Sequence, residues 1–210
     1  MDKEETGYYG EYSDILKCTE QEILNELKGI LKELTEDPEH SPYEHIISRI
    51  KSPESIRDKL KRKGLADDAL TGITELSDVI GIRIVTHFVG DIYLILSRLK
   101  NLKTWKIIKE KDYIARPKKN GYRSYHVILM VPICFKEGQA KSEGLPDSIN
   151  IEIQLRTIAM DCWASLEHQM RYKKDVKNTA LIADELKRCS DEMASTDLTM
   201  QTIRDVLMNR

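Results

Sequence analysis

Polar residues recur at every second position of the segment 150–157, where Glu152, Gln154 and Arg156 alternate with three apolar residues. Strict period-two alternation predicts a β-strand with one buried face and one polar face. The polar face presents a carboxylate, an amide and a guanidinium, a set of groups suited to binding a ligand. An ordinary half-exposed strand has the same pattern, so the alternation by itself leaves both interpretations open.

The apolar period changes after Thr157, which lies where the N-cap of a helix is expected. The apolar residues that follow recur at helical spacing, namely Ile158, Ala159, Cys162, Trp163, Leu166 and Met170. We therefore predict a strand, a cap and an amphipathic helix, with the polar face of the strand opening towards the mouth of a cleft. On this apolar face, Cys162 is expected to be buried.

Two clusters of basic residues stand out in a chain whose formal net charge is only −2 at pH 7. The first covers 49–63, and the second consists of Arg116, Lys118, Lys119 and Arg123. Compact basic clusters in a nearly neutral protein favour a small polyanion, such as nucleoside phosphates, over the long footprint of a nucleic acid. The first cluster is equally compatible with a solvated helix surface.

The hydrophobic pattern predicts the elements that must hold these groups. Helical periods or start and stop signals predict helices at 14–35, 52–63, 90–102, 158–173 and 178–210. Apolar or alternating runs predict strands at 43–51, 82–88, 105–112, 127–131 and 151–156. This order predicts an α+β (mixed α/β) fold, a mixed sheet of about five strands flanked by helices rather than an all-parallel wound sheet.

The composition is typical of a single globular domain with helical extensions, since the chain has 210 residues, of which 40% are hydrophobic and 32% charged. Its apolar runs are too short to span a bilayer, and the acidic N-terminus does not resemble a signal peptide. The four cysteines show no paired spacing. We therefore expect a reduced, cytoplasmic protein without a disulfide, a zinc site or a membrane segment.

Several short segments, in this order along the chain, are similar to one family. They are Arg49-Ile-Lys51, Lys59 to Arg62, Asp78-Val-Ile-Gly-Ile-Arg83, Lys118-Lys-Asn-Gly-Tyr-Arg-Ser-Tyr-His126, Glu152-Ile-Gln-Leu-Arg-Thr157 and Trp163-Ala-Ser-Leu-Glu-His168. As a set they resemble the synthetase domain of the RelA/SpoT family, and the short chain resembles its single-domain small alarmone synthetases of the RelP and RelQ type.

The resemblance implies a nucleotidyltransferase-like synthetase domain over 1–210, with a core at about 43–173 and helical extensions at 14–35 and 178–210. The sequence contains no His-Asp dipeptide, so we expect no hydrolase domain, and the length leaves no room for a regulatory domain. The family transfers the β,γ-pyrophosphate of ATP to the 3′-hydroxyl of GDP or GTP, which produces ppGpp or pppGpp and AMP. We expect this activity, that of a GTP pyrophosphokinase acting in the stringent response, for this chain.

The resemblance also assigns roles to individual residues. It implies that Asp78 and Glu152 hold Mg²⁺, for which carboxylate oxygens are suitable ligands, and that Glu152 also activates the 3′-hydroxyl. On the ATP side it implies that two arginines sandwich the adenine and that basic side chains hold the phosphates. These residues are Arg49 and Arg83 for the base, and Lys51, Lys59 and Arg62 for the phosphates.

On the acceptor side the resemblance implies that Tyr122 stacks on the guanine. The other residues expected to bind GDP or GTP are Lys118, Lys119, Arg123, His126, Gln154, Arg156 and Asp161. Two of the histidines, His126 and His168, are also compatible with structural roles. The resemblance further implies a homotetramer formed through the terminal helices. It leaves open a preference between GDP and GTP, as well as regulation by (p)ppGpp or single-stranded RNA.

Two other functions are compatible with parts of this pattern. A catalytically inactive module that binds nucleotide or RNA would use the basic clusters but would have little need of two carboxylates beside phosphates. A nucleotidyltransferase that releases pyrophosphate usually has paired acids at Asp-x-Asp spacing on a strand, a pattern that this sequence lacks. Release of AMP, of pyrophosphate or of neither distinguishes the three functions.

Overall fold

The structure is a computed structural model that describes residues 7–35, 41–138, 141–171 and 179–208. Its helices include α1 (Tyr12–Leu34), α2 (Pro53–Lys63), α3 (Ala69–Glu75), α4 (Val89–Lys100), α5 (Ile158–Arg171) and α6 (Thr179–Met208). Its strands are β1 (Tyr43–Ile50), β2 (Ile80–Thr86), β3 (Lys106–Asp112), β4 (Tyr125–Pro132) and β5 (Ser148–Thr157). The ends of the predicted core and tail, residues 172–173, 178 and 209–210, lie outside the described residues.

The strands form one five-stranded sheet in the order β1-β2-β5-β4-β3. The central pair, β2 and β5, is parallel, whereas β1, β4 and β3 each pair antiparallel with their neighbours. The prediction of a mixed sheet with flanking helices is therefore confirmed. The parallel pair brings together two segments that are far apart in sequence, and this pairing builds the centre of the site described below.

The core lies on one face of this sheet, where alternate strand residues are buried against the apolar stripes of α1, α2 and α4. Among the buried side chains are Ile23, Leu27, Leu31, Ile56, Leu60, Ile82, Ile84, Ile92, Ile95, Val127, Leu129, Ile151 and Ile153. The opposite face of the same strands carries the polar residues. Burial of one face thus fixes the register, because a slip of one residue would move the apolar set into solvent.

The helix ends follow the predicted capping signals. The Ser52 hydroxyl accepts a hydrogen bond from the Ser55 amide at 3.4 Å, and Gly64 takes the left-handed conformation after α2. The Thr157 hydroxyl accepts from the Met160 amide at 3.1 Å, which confirms Thr157 as the cap of α5. The helix α3 was not predicted, because its seven residues are too few to show a helical period.

Two expectations about cysteine are wrong in this structure. The first is the absence of a disulfide, because Cys18 of α1 is bonded to Cys134, which follows β4. These residues lie 116 positions apart and meet only because α1 packs near the end of β4, so their spacing could not reveal the pair. The second is the burial of Cys162, whose side chain is exposed.

None of the helices in the described part of the chain combines the length and the apolar composition needed to cross a membrane.

Candidate active site

Two rows of side chains cross the sheet on the face opposite the core. Residues that pair across neighbouring strands project from the same face, so the pairing assigns the members of each row. One row is Arg49, Gly81, Glu152 and Ile128, and the next is Ile47, Arg83, Gln154 and His126. The alternating polar face predicted for β5 is therefore continued by its neighbours β2 and β4.

A cleft of about 270 Å³ lies over these rows. Its lining consists of Ile47, Arg49, Asp78, Gly81, Ile82, Arg83, Glu152 and Gln154. Gly81 lies between Arg49 and Glu152 in the register, and a Cβ added there would meet no atom within 4 Å. The absence of a side chain at Gly81 thus keeps the middle of the cleft floor open for a ligand.

Asp78 lies just before β2 at one end of the cleft and forms ion pairs with two lysines. The Nζ atoms of Lys51 and Lys59 both lie 2.7 Å from Asp78 Oδ2. Burial disfavours the charge on Asp78, but the hydrogen bonds from the two lysines outweigh it and lower the pKa of the carboxyl. The other oxygen, Oδ1, is buried without a hydrogen-bond partner among the described residues. A buried oxygen of this kind is suited to bind a cation.

Glu152 projects from the centre of β5 and is held by two neighbours. Its Oε1 lies 3.1 Å from His126 Nδ1, and its Oε2 accepts a hydrogen bond from Gln154 Nε2 at 2.7 Å. Burial raises the pKa of Glu152, but the contacts with His126 and Gln154 outweigh it and leave the pKa below its ordinary value. The carboxylate is therefore ionised at neutral pH, with a fixed orientation.

The two neighbours of Glu152 belong to a closed ring of hydrogen bonds. The Tyr122 hydroxyl lies 2.8 Å from His126 Nε2 and accepts from Arg156 Nη2 at 2.7 Å. Arg156 Nη2 also donates to Gln154 Oε1 at 2.8 Å, which completes the ring through Glu152. With the proton on Nδ1, His126 donates to Glu152 and accepts at Nε2 from Tyr122, so this tautomer satisfies both contacts.

Asp161 connects this ring to the other side of the cleft. Its Oδ1 lies 2.9 Å from Arg156 Nη1 and 3.0 Å from Arg83 Nη1. Burial, together with the charge of Arg156, lowers the pKa of Arg83. Asp161 therefore pairs with two arginines in this structure, and its expected role in binding GDP or GTP stays a prediction.

The dipeptide Asn120-Gly121 within the loop 115–121 is a sequence signal for a tight turn, and the structure has a turn there. The Gly121 amide donates to Lys118 O at 2.8 Å, and the φ angle of Gly121 is +93°. The turn is followed by Tyr122, whose ring has the Lys118 Nζ atom 4.5 Å from its centroid. The side chain of Lys119 is exposed.

Two predicted site residues point to other partners in the structure. The Nη2 atom of Arg123 donates to Asp191 of α6 at 3.0 Å. The exposed Arg62 donates from Nε to the carbonyl of Asp58 within its own helix at 3.2 Å. The other predicted site residues within 49–62, 78–83 and 152–161 line the cleft, contact Asp78 or take part in the ring of hydrogen bonds around Glu152 and Arg156. The side chains of Arg62 and Arg123 have other partners.

Two residues that were not predicted as site residues also share the face of the site. Gly81 forms the open floor, and Lys111 of β3 pairs with His126 of β4, so that its half-buried side chain shares the face of the site. Because Lys109 and Lys111 are two residues apart in a predicted strand, their side chains project from the same face. This spacing could have predicted a basic face on that strand. The role of Gly81 depends on its neighbours in the sheet, which the local sequence does not show.

Comparison with known proteins decides the family. Residues 48–177 match the family model described as "Region found in RelA / SpoT proteins". The chain belongs to the RelA/SpoT family. The matched region includes both carboxylates, the tight turn and the whole of β5, so it contains every residue of the cleft lining except Ile47.

Two RelA/SpoT relatives from Bacillus subtilis (strain 168) are similar over most of their length. The GTP pyrophosphokinase YwaC is 41% identical over 152 residues, which are 72% of this chain and 69% of that protein. The GTP pyrophosphokinase YjbM is 33% identical over 184 residues, which are 88% of this chain and 82% of that protein.

Solved structures give the same result for the fold. Small alarmone synthetase 1 from Bacillus subtilis, bound to its product pppGpp, has a TM-score of 0.78 and 30% identity, with 95% of this chain and 97% of that chain covered. A GTP pyrophosphokinase family protein from Streptococcus pneumoniae has a TM-score of 0.80 and 32% identity, with 100% and 97% covered.

Proposed function

We propose that this protein is a GTP pyrophosphokinase that transfers the β,γ-pyrophosphate of ATP to the 3′-hydroxyl of GDP or GTP. The products are ppGpp or pppGpp and AMP. The observation that carries the proposal is the position of Asp78 and Glu152 in one cleft, with cations beside the first and the Tyr122 ring of hydrogen bonds beside the second. The names of the relatives and the product-bound structure of one of them support the same reaction.

The donor nucleotide is proposed to bind at the Asp78 end of the cleft. Arg49 and Arg83 both line the cleft, and planar guanidinium groups can stack on an adenine base. The ammonium groups of Lys51 and Lys59 both contact Asp78, so they lie close together. Two adjacent positive charges there would bind the phosphates of ATP. The exposed Arg62 would have to leave its contact within α2 to join them.

The oxygen ligands available in the cleft fit Mg²⁺. Asp78 Oδ1 is buried and has no partner among the described residues, and Glu152 is an ionised carboxylate lining the same cleft. Mg²⁺ is commonly bound through one or two carboxylates together with substrate phosphates, so a pair of acids is sufficient. When bound, the ion would neutralise the charge of the transferred phosphates.

Glu152 is proposed to act on the acceptor hydroxyl. The 3′-oxygen of the acceptor forms a bond to the β-phosphorus of ATP while the bond from that phosphorus to the α,β-bridging oxygen breaks, and AMP leaves with this oxygen. Glu152 orients the 3′-hydroxyl and accepts its proton, and His126 and Gln154 keep the carboxylate in the required direction.

The acceptor base is proposed to stack on Tyr122, beside the turn that holds Lys118 and Lys119. The Lys118 ammonium group lies over the Tyr122 ring, so a base that stacks on that face displaces it towards the 5′-phosphates. Arg156 lies beneath the hydroxyl end of the ring and ties it to Asp161. Arg123 would contribute to nucleotide binding only by leaving Asp191.

The alternative of a catalytically inactive binding module is not favoured. The relatives similar over most of their length are named as enzymes, and both acids occupy the cleft. A homotetramer remains a proposal that rests on the family resemblance, and exposed apolar residues on two helices are compatible with it. These are Leu166 and Met170 of α5, and Leu198, Met200, Ile203, Val206 and Leu207 of α6. Regulation by (p)ppGpp or RNA, and a cytoplasmic location, stay predictions.

The test is a reaction of the purified protein with ATP, MgCl₂ and either GDP or GTP, with the nucleotides separated by anion-exchange chromatography. We expect AMP to form in equal amount with a guanosine nucleotide that carries two additional phosphates. The relative rates with GDP and GTP give the acceptor preference. Binding of both nucleotides without any AMP would contradict the proposal and support the inactive module.

A further inference from the structure

Helix α6 packs against the turn that precedes Tyr122. The hydroxyl of Ser190 donates a hydrogen bond to the carbonyl oxygen of Gly121 at 2.5 Å, and Ser190 is only 3% exposed. The approach is close, since a Cβ added to Gly121 would lie 2.8 Å from Ser190 Cβ and 3.2 Å from Lys187 Cα. Gly121 therefore combines a left-handed conformation with contact between its backbone and the helix.

The residue on the other side of Tyr122 is bound by the same helix. The carboxylate of Asp191 accepts from Arg123 Nη2 at 3.0 Å and is itself held by Lys187 Nζ at 2.8 Å. A second contact of Arg123, from Nη1 to the carbonyl of Ile114 at 3.2 Å, ties it to the start of the loop. Consecutive residues of α6 thus fix the residues immediately before and after Tyr122.

The helix is in turn anchored to the elements that carry the catalytic groups. The indole of Trp163 in α5 donates to the carbonyl of Leu186 at 2.8 Å. The hydroxyl of Thr157, at the end of β5, donates to the buried Asp197 at 2.6 Å. Since Glu152 lies on β5, α6 bridges the strand that bears Glu152 and the turn that bears Tyr122.

We propose that Ser190, supported by Asp191, is a positioning residue of the acceptor site. The hydroxyl of Ser190 donates to the backbone of the turn, whereas the side chain of Tyr122 contacts His126 and Arg156. The hydrogen bond from Ser190 therefore fixes the backbone position from which the Tyr122 side chain projects. The contacts with His126 and Arg156 fix the position of the Tyr122 hydroxyl. The kinetic part of this inference rests on the proposed function, whereas its structural part does not.

The first test is Ser190→Ala, with Ser195→Ala as the matched control. Ser195 is exposed on the same helix, and its hydroxyl makes no hydrogen bond with another side chain or carbonyl among the described residues. We expect Ser190→Ala to raise the KM for GDP or GTP by roughly threefold to tenfold, the equivalent of one hydrogen bond. The KM for ATP should stay within about twofold, because α6 contacts the acceptor side of the site. Ser195→Ala should match the wild type in both.

The second test measures the turn without any catalysis, by limited digestion with trypsin. Cleavage after Lys118 and Lys119 should be faster in Ser190→Ala than in Ser195→Ala, since release of Gly121 exposes the turn to the protease. Asp191→Ala removes an exposed carboxylate and should accelerate the same cleavages by freeing Arg123. These digestions are read by mass spectrometry and do not depend on the reaction catalysed.

The two tests separate the possible failures. If trypsin cleaves the wild-type protein slowly at the turn but the protein forms no alarmone, the proposed function is refuted. The contact between α6 and the turn is then still supported. An unchanged acceptor KM in an active Ser190→Ala enzyme would overturn the positioning role. Equal increases in the KM values of ATP and the acceptor, with a lower Tm, would also overturn it and show that Ser190 only stabilises the fold.

Discussion

Removal of the Tyr122 hydroxyl separates the two roles assigned to this side chain. In Tyr122→Phe the aromatic side chain remains for stacking. The hydrogen bonds of the hydroxyl with His126 and Arg156 are lost, so the closed ring of hydrogen bonds is broken. Of its two side-chain hydrogen bonds, His126 then keeps only the one with Glu152. We therefore predict a loss in the chemical step rather than in acceptor binding.

The expected size of this loss follows from the contacts. A hydrogen bond that involves a charged group contributes about 1.5–3 kcal/mol. Arg156 keeps its contacts with Asp161 and Gln154 after the substitution, so the loss should lie near the lower limit. We expect kcat to fall roughly tenfold and the KM for GDP to change by less than about threefold, because about 1.4 kcal/mol corresponds to a factor of ten.

Initial rates of AMP formation, measured at saturating ATP over a range of GDP concentrations, give both constants. Tyr113→Phe is the matched control, because the Tyr113 ring packs edge-on against His126 while its hydroxyl makes no recorded hydrogen bond within the described residues. Tyr122→Ala should instead raise the KM for GDP roughly fivefold to 150-fold through loss of stacking. A wild-type kcat for Tyr122→Phe, or an equal loss in Tyr113→Phe, would refute the reasoning.

Three further predictions concern Glu152, Gly81 and Asp197. Glu152→Gln should abolish product formation while nucleotide binding, measured by calorimetry, largely persists; full activity would exclude Glu152 as the group that acts on the hydroxyl. Gly81→Ala should leave the Tm unchanged, because the added Cβ meets no atom within 4 Å, but should raise the KM for ATP in steady-state assays. Burial raises the pKa of Asp197, although its hydrogen bond with Thr157 opposes the shift, so the folded protein loses stability as pH rises from the ordinary pKa of 3.8 to the raised value. Asp197→Asn should therefore have a higher Tm than the wild type at pH 7, with the difference shrinking towards about pH 4; a constant difference would contradict this.

The sequence was sufficient for most elements because their signals are local. The alternation of 150–157, the cap at Thr157 and the Asn-Gly turn before Tyr122 each depend on a few neighbouring residues, and the structure has all three. The helix α3 was missed because seven residues give too few positions for a period. Local patterning thus explains both the successes and this failure.

The arrangement of the site depended on pairings between distant segments. The parallel pairing of β2 with β5 places Gly81 beside Glu152, and no local period indicates which strands become neighbours. For the same reason the sequence did not indicate that Arg123 contacts Asp191 or that Asp161 contacts Arg83. The disulfide to Cys134 depends on the packing of α1 in the same way.

The most direct test of the central claim follows the α-phosphorus of ATP. The wild-type protein is incubated with GDP, MgCl₂ and ATP that is radiolabelled at this atom, and the products are separated by anion exchange. Transfer of the β,γ-pyrophosphate predicts that all of the released label is in AMP and that the new guanosine nucleotide is unlabelled. Label in the guanosine product together with free pyrophosphate would contradict the account and identify a nucleotidyltransferase.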